Sequence, residues 1–218
     1  TSRSALEIAE SIDFVGGTLS TGAGADASSV NTTVLTEFLD TALVVMSDIV
    51  LAPTFPEDEL ETERERTLSA LQVELSQPSA LAARHFRGEI YGDHPYGASP
   101  TPETVRAITR ADLIAFHQAH YRPDNALFVV AGAVDADDVV ARLNRRFAGW
   151  SGAAAGRPRL DSPPARAERA IKLVHVPGSV QAAIRIGHLM PPASHEDWVI
   201  LDVANQILGG GTTGWLFR

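Results

Sequence analysis

The feature that most constrains the fold is a long stretch without glycine or proline in the first half of the chain. It follows Pro56, opens with Glu57, Asp58 and Glu59, and ends at Pro78. Proline fits the first turn of a helix, where its missing N–H would have no partner, and acidic residues are favourable at the positive end of the helix dipole. We therefore predict a long helix whose core-facing residues are Leu60, Thr67, Leu68, Leu71 and Leu75.

Shorter elements are predicted on both sides of this helix. A first helix, capped by Thr1 and Ser2, leads into two short strands at residues 18–23 and 30–34. The other predicted helices lie at residues 39–50, 79–91, 109–120, 135–150 and 198–208. Apolar runs predict three more strands, the first of them buried on both faces, at residues 126–134, 171–176 and 181–189.

The chain is expected to contain one complete unit and part of another. Residues 1–150 form the first unit, and residues 151–169, which are rich in Gly, Ala, Pro and Arg, form a linker. Residues 170–218 restart the pattern but are too few to close a core of their own. Because the sequence begins at a helix cap, we expect that residues of the natural protein precede Thr1.

Composition excludes several classes of function. The net charge of -9 disfavours nucleic acid and anionic membranes as partners, since no block of Lys and Arg supplies the positive charge that such binding needs. The sequence contains no cysteine, which excludes disulfides and thiolate metal sites. No apolar run approaches the roughly 20 residues of a membrane span. Both the bacterial periplasm and the cytoplasm stay open as compartments.

Five phrases, in this order, resemble the bacterial branch of the insulinase/pitrilysin family of zinc metallopeptidases, which includes processing-peptidase-like proteins. They lie at residues 4–10, 53–56, 91–97, 121–126 and 207–211. The resemblance implies two α+β repeats joined by a linker, each with an antiparallel-rich mixed sheet flanked by helices. Pairs of such repeats enclose a peptide chamber. Active repeats carry an H-x-x-E-H zinc motif. Here that motif would lie upstream of Thr1, and an Arg and a Tyr of the second repeat would follow Arg218, so a chain truncated at both ends is expected.

The resemblance also places a ligand position on the long helix. It implies a zinc-binding glutamate at position 72, where this chain has Gln72, and a supporting glutamate seven residues earlier, at Glu65. Both should share an inward face with Leu68. A neutral amide is a poor zinc ligand, because zinc sites are built from thiolate, imidazole and carboxylate. We therefore predict a non-catalytic repeat with no catalytic or metal-binding residue and no cofactor of its own.

Such repeats imply peptide binding and a partner. The resemblance implies a catalytic metallopeptidase subunit or second repeat as partner, in a homo- or heterodimer, with the zinc in that partner. Peptide is expected to add as a strand along Thr18, Leu19, Ser20, Thr21, Gly22 and Ala23, and to contact a loop of Gly209, Gly210 and Gly211.

Two alternatives stay open. One is an active zinc endopeptidase whose H-x-x-E-H lies upstream, and the other is a purely structural assembly module.

His117 and His120 have helical spacing but no acid that completes a metal site, so we assign them packing or surface roles. His94 is interpreted as a turn residue.

Overall fold

A computed structural model of the protein describes residues 3–156, 160–165 and 168–217. The chain divides into two compact units. The first comprises Thr1–Glu74 and Pro100–Leu160, and the second comprises Leu75–Ser99 and Asp161–Arg218. Compactness and repeat organisation are different properties, so the division into residues 1–150, 151–169 and 170–218 stays a prediction.

The first unit opens with a capped helix and a hairpin. Helix α1 (Ala5–Asp13) begins at Ser4, whose hydroxyl accepts the Glu7 N–H while the Glu7 carboxylate accepts the Ser4 N–H. Strands β1 (Thr18–Ala23) and β2 (Ser28–Thr33) then pair antiparallel, with Thr18 opposite Thr33 and Ala23 opposite Ser28. The predicted caps Thr1 and Ser2 lie outside the described residues.

Most of the remaining structure is helical. The further helices are α2 (Leu39–Leu51), α3 (Glu57–Ser76), α4 (Pro78–Tyr91), α5 (Pro102–Ala107), α6 (Arg110–His120), α7 (Ala136–Arg146) and α8 (Trp198–Gly209). One-turn 3₁₀ helices lie at Thr36–Phe38, Pro95–Gly97, Pro123–Asn125 and Trp215–Phe217. The predicted caps Thr109 and Asp135 are confirmed, since each side chain accepts a backbone N–H of the first turn. No described helix has the length and apolarity needed to cross a membrane.

The hydrophobic core lies in the first unit. The buried apolar side chains of the described residues all belong to it, and they are Ile12, Ala42, Leu43, Val45, Leu71, Val105 and Val139. Helix α2 supplies three of them, which makes it the centre of the unit. Within the described part of the second unit no apolar side chain is fully buried. Its helix α8 exposes most of its apolar residues, although its sequence is strongly apolar.

The α+β class is confirmed, but most of the predicted sheet is not formed. Among the described residues only β1 and β2 form a ladder. Residues 126–134, 171–176 and 181–189 are not strands, so these three strand predictions are wrong, and with them the burial of residues 126–134 on both faces. A strand needs a neighbour that pairs with its N–H and C=O groups, and these segments have none among the described residues.

The start of the predicted linker is bound to the first unit. The Ala155 N–H donates to the Ala119 carbonyl over 2.8 Å, and the Ala154 N–H donates to the Asp124 carboxylate over 2.9 Å. The turn Pro123–Asn125 and the end of α6 therefore hold residues that composition alone assigned to a free linker.

Candidate functional site

The hairpin has an open outer edge on β1. The Gly24 N–H donates across the turn to the Ala27 carbonyl, which fixes the alternation of the ladder. In that register the N–H and C=O groups of Ser20 and Gly22 face β2, whereas those of Leu19, Thr21 and Ala23 face outward. In agreement, the Gly17 N–H points away from β2 and donates to the Ile12 carbonyl.

Small, exposed side chains line this edge. Of the β1 residues only Leu19 is partly buried, and the others are exposed. Gly22 carries no side chain at all, so another backbone can come close to the strand there. An extended peptide could therefore add to β1 through main-chain hydrogen bonds, largely independently of its sequence. Peptide binding along Thr18–Ala23 stays a prediction.

The inward orientation predicted for Glu65 and Gln72 is wrong. Both side chains are exposed on α3, on one side of the helix. The stripe that turns toward the core is Leu60, Arg64, Thr67, Leu71 and Leu75, of which Leu71 is only 4% exposed. This stripe is centred about 100° around the helix from Glu65 and Gln72, because each residue advances the direction by that angle. Leu68 lies between the two faces, so sharing a side with Leu68 did not place Glu65 and Gln72 toward the core.

Arg64 is a structural residue that sequence reasoning missed. Its guanidinium donates to the carbonyls of Val105, Arg106 and Ile108 at the end of α5. Its side chain is 12% exposed. Cations are favourable beside the carbonyls that end a helix. The signal that could have found it is its position, four residues from Leu60 and seven from Leu71, on the apolar stripe.

The described residues do not fit a zinc ion. Gln72, at the position where the resemblance implies a zinc ligand, offers a neutral amide on an exposed face. Throughout the described ranges no three His, Cys, Asp or Glu side chains lie together as a possible metal site. No chemical step through zinc is therefore assigned to residues of this chain.

The glycine-rich loop belongs to the second unit. Gly209 is the last residue of α8, Gly210 follows it, and Gly211 adopts a φ of +88°, which favours glycine. A side chain at Gly210 would collide with Gln206, because its Cβ would lie 2.7 Å from the Gln206 carbonyl oxygen. Gly210 and Gly211 are therefore explained by the way α8 ends. Their predicted contact with peptide stays a prediction.

The histidines have the structural roles that were predicted. His117 Nε2 lies 2.8 Å from the Val50 carbonyl oxygen, which fixes the imidazole against α2. His94 Nδ1 accepts the Tyr96 N–H within its turn, so the interpretation as a turn residue is confirmed.

Comparison with protein families gives two matches that together cover nearly the whole chain. Residues 1–100 match the family described as insulinase (peptidase family M16), and residues 107–218 match the one described as peptidase M16 inactive domain. The resemblance read from the five phrases is confirmed.

Curated proteins that are similar to this chain are named as zinc proteases. An uncharacterized zinc protease of Mycobacterium leprae is 30% identical over 223 residues, covering 99% of this chain and 49% of the relative. Another from Bacillus subtilis is 28% identical over 220 residues, covering 99% of this chain and 52% of the relative. The chain thus spans about half the length of the curated relatives it matches.

Solved structures show the same fold. A peptidase M16 inactive domain from Pseudomonas fluorescens superposes with a TM-score of 0.78 at 22% identity, over 99% of this chain and 53% of that one. A protease from Helicobacter pylori superposes with a TM-score of 0.82 at 21% identity, over 100% of this chain and 53% of that one.

Proposed function

Because the chain belongs to the insulinase family of peptidases, family M16, we propose that it is a non-catalytic part of a zinc metallopeptidase that binds peptide and forms part of the chamber wall. The open outer edge of β1 carries this proposal. Two further features support it: the match of residues 107–218 to an inactive domain, and the neutral Gln72 at the position where the resemblance implies a zinc ligand.

The proposed binding mode is strand addition. A peptide in extended conformation pairs with the outward N–H and C=O groups of Leu19, Thr21 and Ala23. Main-chain pairing supplies the affinity, and the small neighbouring side chains leave room for many peptide sequences. Gly209, Gly210 and Gly211 are likewise proposed to contact peptide.

Catalysis is assigned to a partner. The partner is a catalytic metallopeptidase subunit or a second repeat, in a homo- or heterodimer, and the zinc ion lies in that partner. In this arrangement the chain holds the peptide in an extended conformation and the partner cleaves it, so neither part is sufficient alone.

Peptide binding is tested by proline substitution on the two outer edges of the hairpin. Thr21→Pro removes an outward N–H of β1 and leaves the ladder to β2 intact, because the Thr21 N–H takes no part in it. We expect it to weaken binding of a fluorescently labelled extended peptide about tenfold, equivalent to about 1.4 kcal/mol. Fluorescence anisotropy measures the dissociation constant.

Val30→Pro is the matched control, since Val30 stands directly opposite Thr21 and its N–H faces outward on the β2 edge. Peptide affinity should survive Val30→Pro. If Val30→Pro weakened binding and Thr21→Pro did not, the peptide would lie on the edge of β2. If the unmodified protein bound no peptide, the purely structural module would be favoured.

The second candidate is an active zinc endopeptidase whose H-x-x-E-H lies upstream of Thr1. The names of the curated relatives, which are zinc proteases, favour it. It is tested with the full-length protein, by zinc content after dialysis and by peptide hydrolysis with and without a chelator. Chelator-sensitive hydrolysis by that protein alone would replace the non-catalytic assignment with this one.

A further inference from the structure

A cavity of about 280 Å³ lies in the first unit, between the loop after α2 and one side of α6. We call it the aromatic pocket, and its lining includes Phe55, His117, Gln118, Tyr121, Arg122 and Trp150. Its volume lies just below the range of ligand pockets, roughly 300–1,000 Å³. A space of this size suits one large side chain better than an extended ligand.

The aromatic walls of the pocket are fixed in place. His117 Nε2 lies 2.8 Å from the Val50 carbonyl oxygen, and the Trp150 indole N–H donates to the Tyr121 carbonyl over 3.1 Å. The His117 ring stands edge-on to Phe55, with 6.0 Å between centroids, and lies 4.7 Å from the Tyr121 ring. Rings held in this way lose little freedom when a ligand binds.

Phe55 holds its place at a conformational cost. Its φ of +46° makes it the only described residue other than glycine with a positive φ, and it precedes Pro56, which restricts its backbone further. Arg110 stabilises the arrangement, because its guanidinium donates to the Thr54 carbonyl over 2.9 Å and to the Phe55 carbonyl over 2.8 Å. Strain of this kind concentrates at binding sites, where the surrounding structure maintains it.

Two polar groups complete the pocket. Arg122 is partly buried, and its hydrogen bond to the Ser151 carbonyl, over 3.3 Å, occupies one of its five N–H groups. Gln118 is exposed next to it and adds an amide donor and acceptor. A guanidinium and an amide beside aromatic walls match a ring that is attached to a carbonyl or carboxylate.

We propose that the aromatic pocket binds an aromatic side chain of a polypeptide, whose adjacent main-chain carbonyl accepts a hydrogen bond from Arg122. The identification of the ligand as polypeptide rests on the proposed peptide binding; the preference for an aromatic ring rests on the pocket alone. The pocket would then add selectivity for a residue type to the sequence-tolerant edge of β1.

The pocket is tested first with single blocked residues, which are too short to add as a strand. N-acetyl-phenylalanine amide, N-acetyl-leucine amide and N-acetyl-alanine amide are titrated into the protein, and the shifts of the Trp150 indole N–H signal are followed by NMR. We expect saturable binding that is strongest for phenylalanine and lowest for alanine. Absence of saturable binding, or equal affinity for phenylalanine and alanine, would overturn the proposal.

Gln118→Trp should close the mouth of the pocket and lower the affinity for the phenylalanine probe at least tenfold. Phe116→Trp places the same indole on the opposite side of α6 and should change the affinity less than twofold. Thermal unfolding of both variants checks that they fold. Equal affinity for the probe in both folded variants would contradict binding in the pocket.

Labelled peptides distinguish a failure of the pocket proposal from a failure of the proposed strand addition to β1. A peptide with one phenylalanine and the same peptide with alanine are compared by anisotropy. Loss of phenylalanine selectivity in Gln118→Trp, with alanine-peptide affinity retained, is the expected result. If neither peptide binds while the blocked phenylalanine does, strand addition fails and the pocket stands. If both peptides bind equally to the unmodified protein, the pocket proposal fails and strand addition stands.

Discussion

The β1–β2 hairpin and residues 126–134 differ in a way that contradicts their strand propensities. The hairpin is built mainly from Ser, Thr, Gly and Ala, yet it forms a regular ladder. Residues 126–134 are almost entirely apolar and include several Val, which favour strands, yet they form none. The difference lies in the partner. The chain turns back at Gly24 and brings β2 to β1 within four residues, whereas no neighbouring segment among the described residues pairs with 126–134.

The unpaired segment nevertheless keeps one feature of a strand. Leu127 and Val129 are 87% and 81% exposed, whereas Phe128 and Val130 between them are 36% and 44% exposed. Phe128 packs against Phe147, with ring centroids 4.9 Å apart. Alternate side chains thus face the first unit and the solvent, as they would along a strand that lies on a core. The alternation of side chains is set by the local backbone, whereas a hydrogen-bonded ladder requires a second segment. Residues 126–134 therefore keep the first property without the second.

The largest expected effect tests the ladder that does form. Ser20→Pro removes an N–H that faces β2 and should lower the free energy of unfolding by about 2–3 kcal/mol. Thr21→Pro removes an N–H that faces outward and should cost less than about 1 kcal/mol. Urea unfolding of both variants measures the difference. Equal losses would mean that the assigned alternation of β1 is incorrect.

A second test concerns the close packing where β1 begins. A Cβ at Gly17 would lie 2.7 Å from Val34 Cγ1 and 2.9 Å from the Thr33 carbonyl oxygen. Gly17→Ala should therefore cost about 2 kcal/mol, as overpacking usually does. Gly24→Ala is the matched control at the other end of β1, where the nearest atom to a new Cβ is an ordinary 3.7 Å away. A control loss as large as that of Gly17→Ala would argue against local packing as the cause.

A third test addresses the unpaired segment. Phe128→Ala removes a ring about two thirds buried against Phe147 and Trp150, and should cost about 1.5 kcal/mol. Val129→Ala removes a side chain exposed to solvent and should change the free energy of unfolding by less than about 0.5 kcal/mol. Thermal and urea unfolding of the 218-residue protein provide both values. A large loss on Val129→Ala would show that a partner covers this face in solution.

The same contrast explains what could be predicted from the sequence. Helices α2, α3, α4, α6, α7 and α8 were predicted close to their observed bounds, because caps, prolines and apolar spacing are local signals. The edge of β1 was predicted for the same reason, since its turn lies within the hairpin. The strands at 126–134, 171–176 and 181–189 were not correctly predicted, because their pairing depends on a neighbour that propensity does not reveal.

Long-range side-chain contacts were beyond prediction for a related reason. Arg64 binds carbonyls about 40 residues away, and Arg110 binds those of Thr54 and Phe55. Charged residues on helices are usually solvated, so their sequence does not distinguish the few that hold loops in place. The aromatic pocket was missed in the same way, because its walls come from three separated parts of the chain.

The smallest expected effect concerns a signal that is entirely local, the capping box of α6. The Asp112 carboxylate accepts the Thr109 hydroxyl over 2.7 Å and the Thr109 N–H over 2.8 Å, and these hydrogen bonds hold the pKa of Asp112 below its ordinary value of 3.8. Because the pKa is lower in the folded state, the carboxylate adds stability that is fully present above pH 3.8 and is lost as the pH falls through the folded-state pKa.

Asp112→Asn should therefore lower the unfolding midpoint at pH 7, and this difference should shrink below pH 3.8. Thr109→Ser retains both donors and should follow the unmodified protein at every pH. A difference between Asp112→Asn and the unmodified protein that stays constant down to pH 2 would show that the cap does not depend on the charge of Asp112.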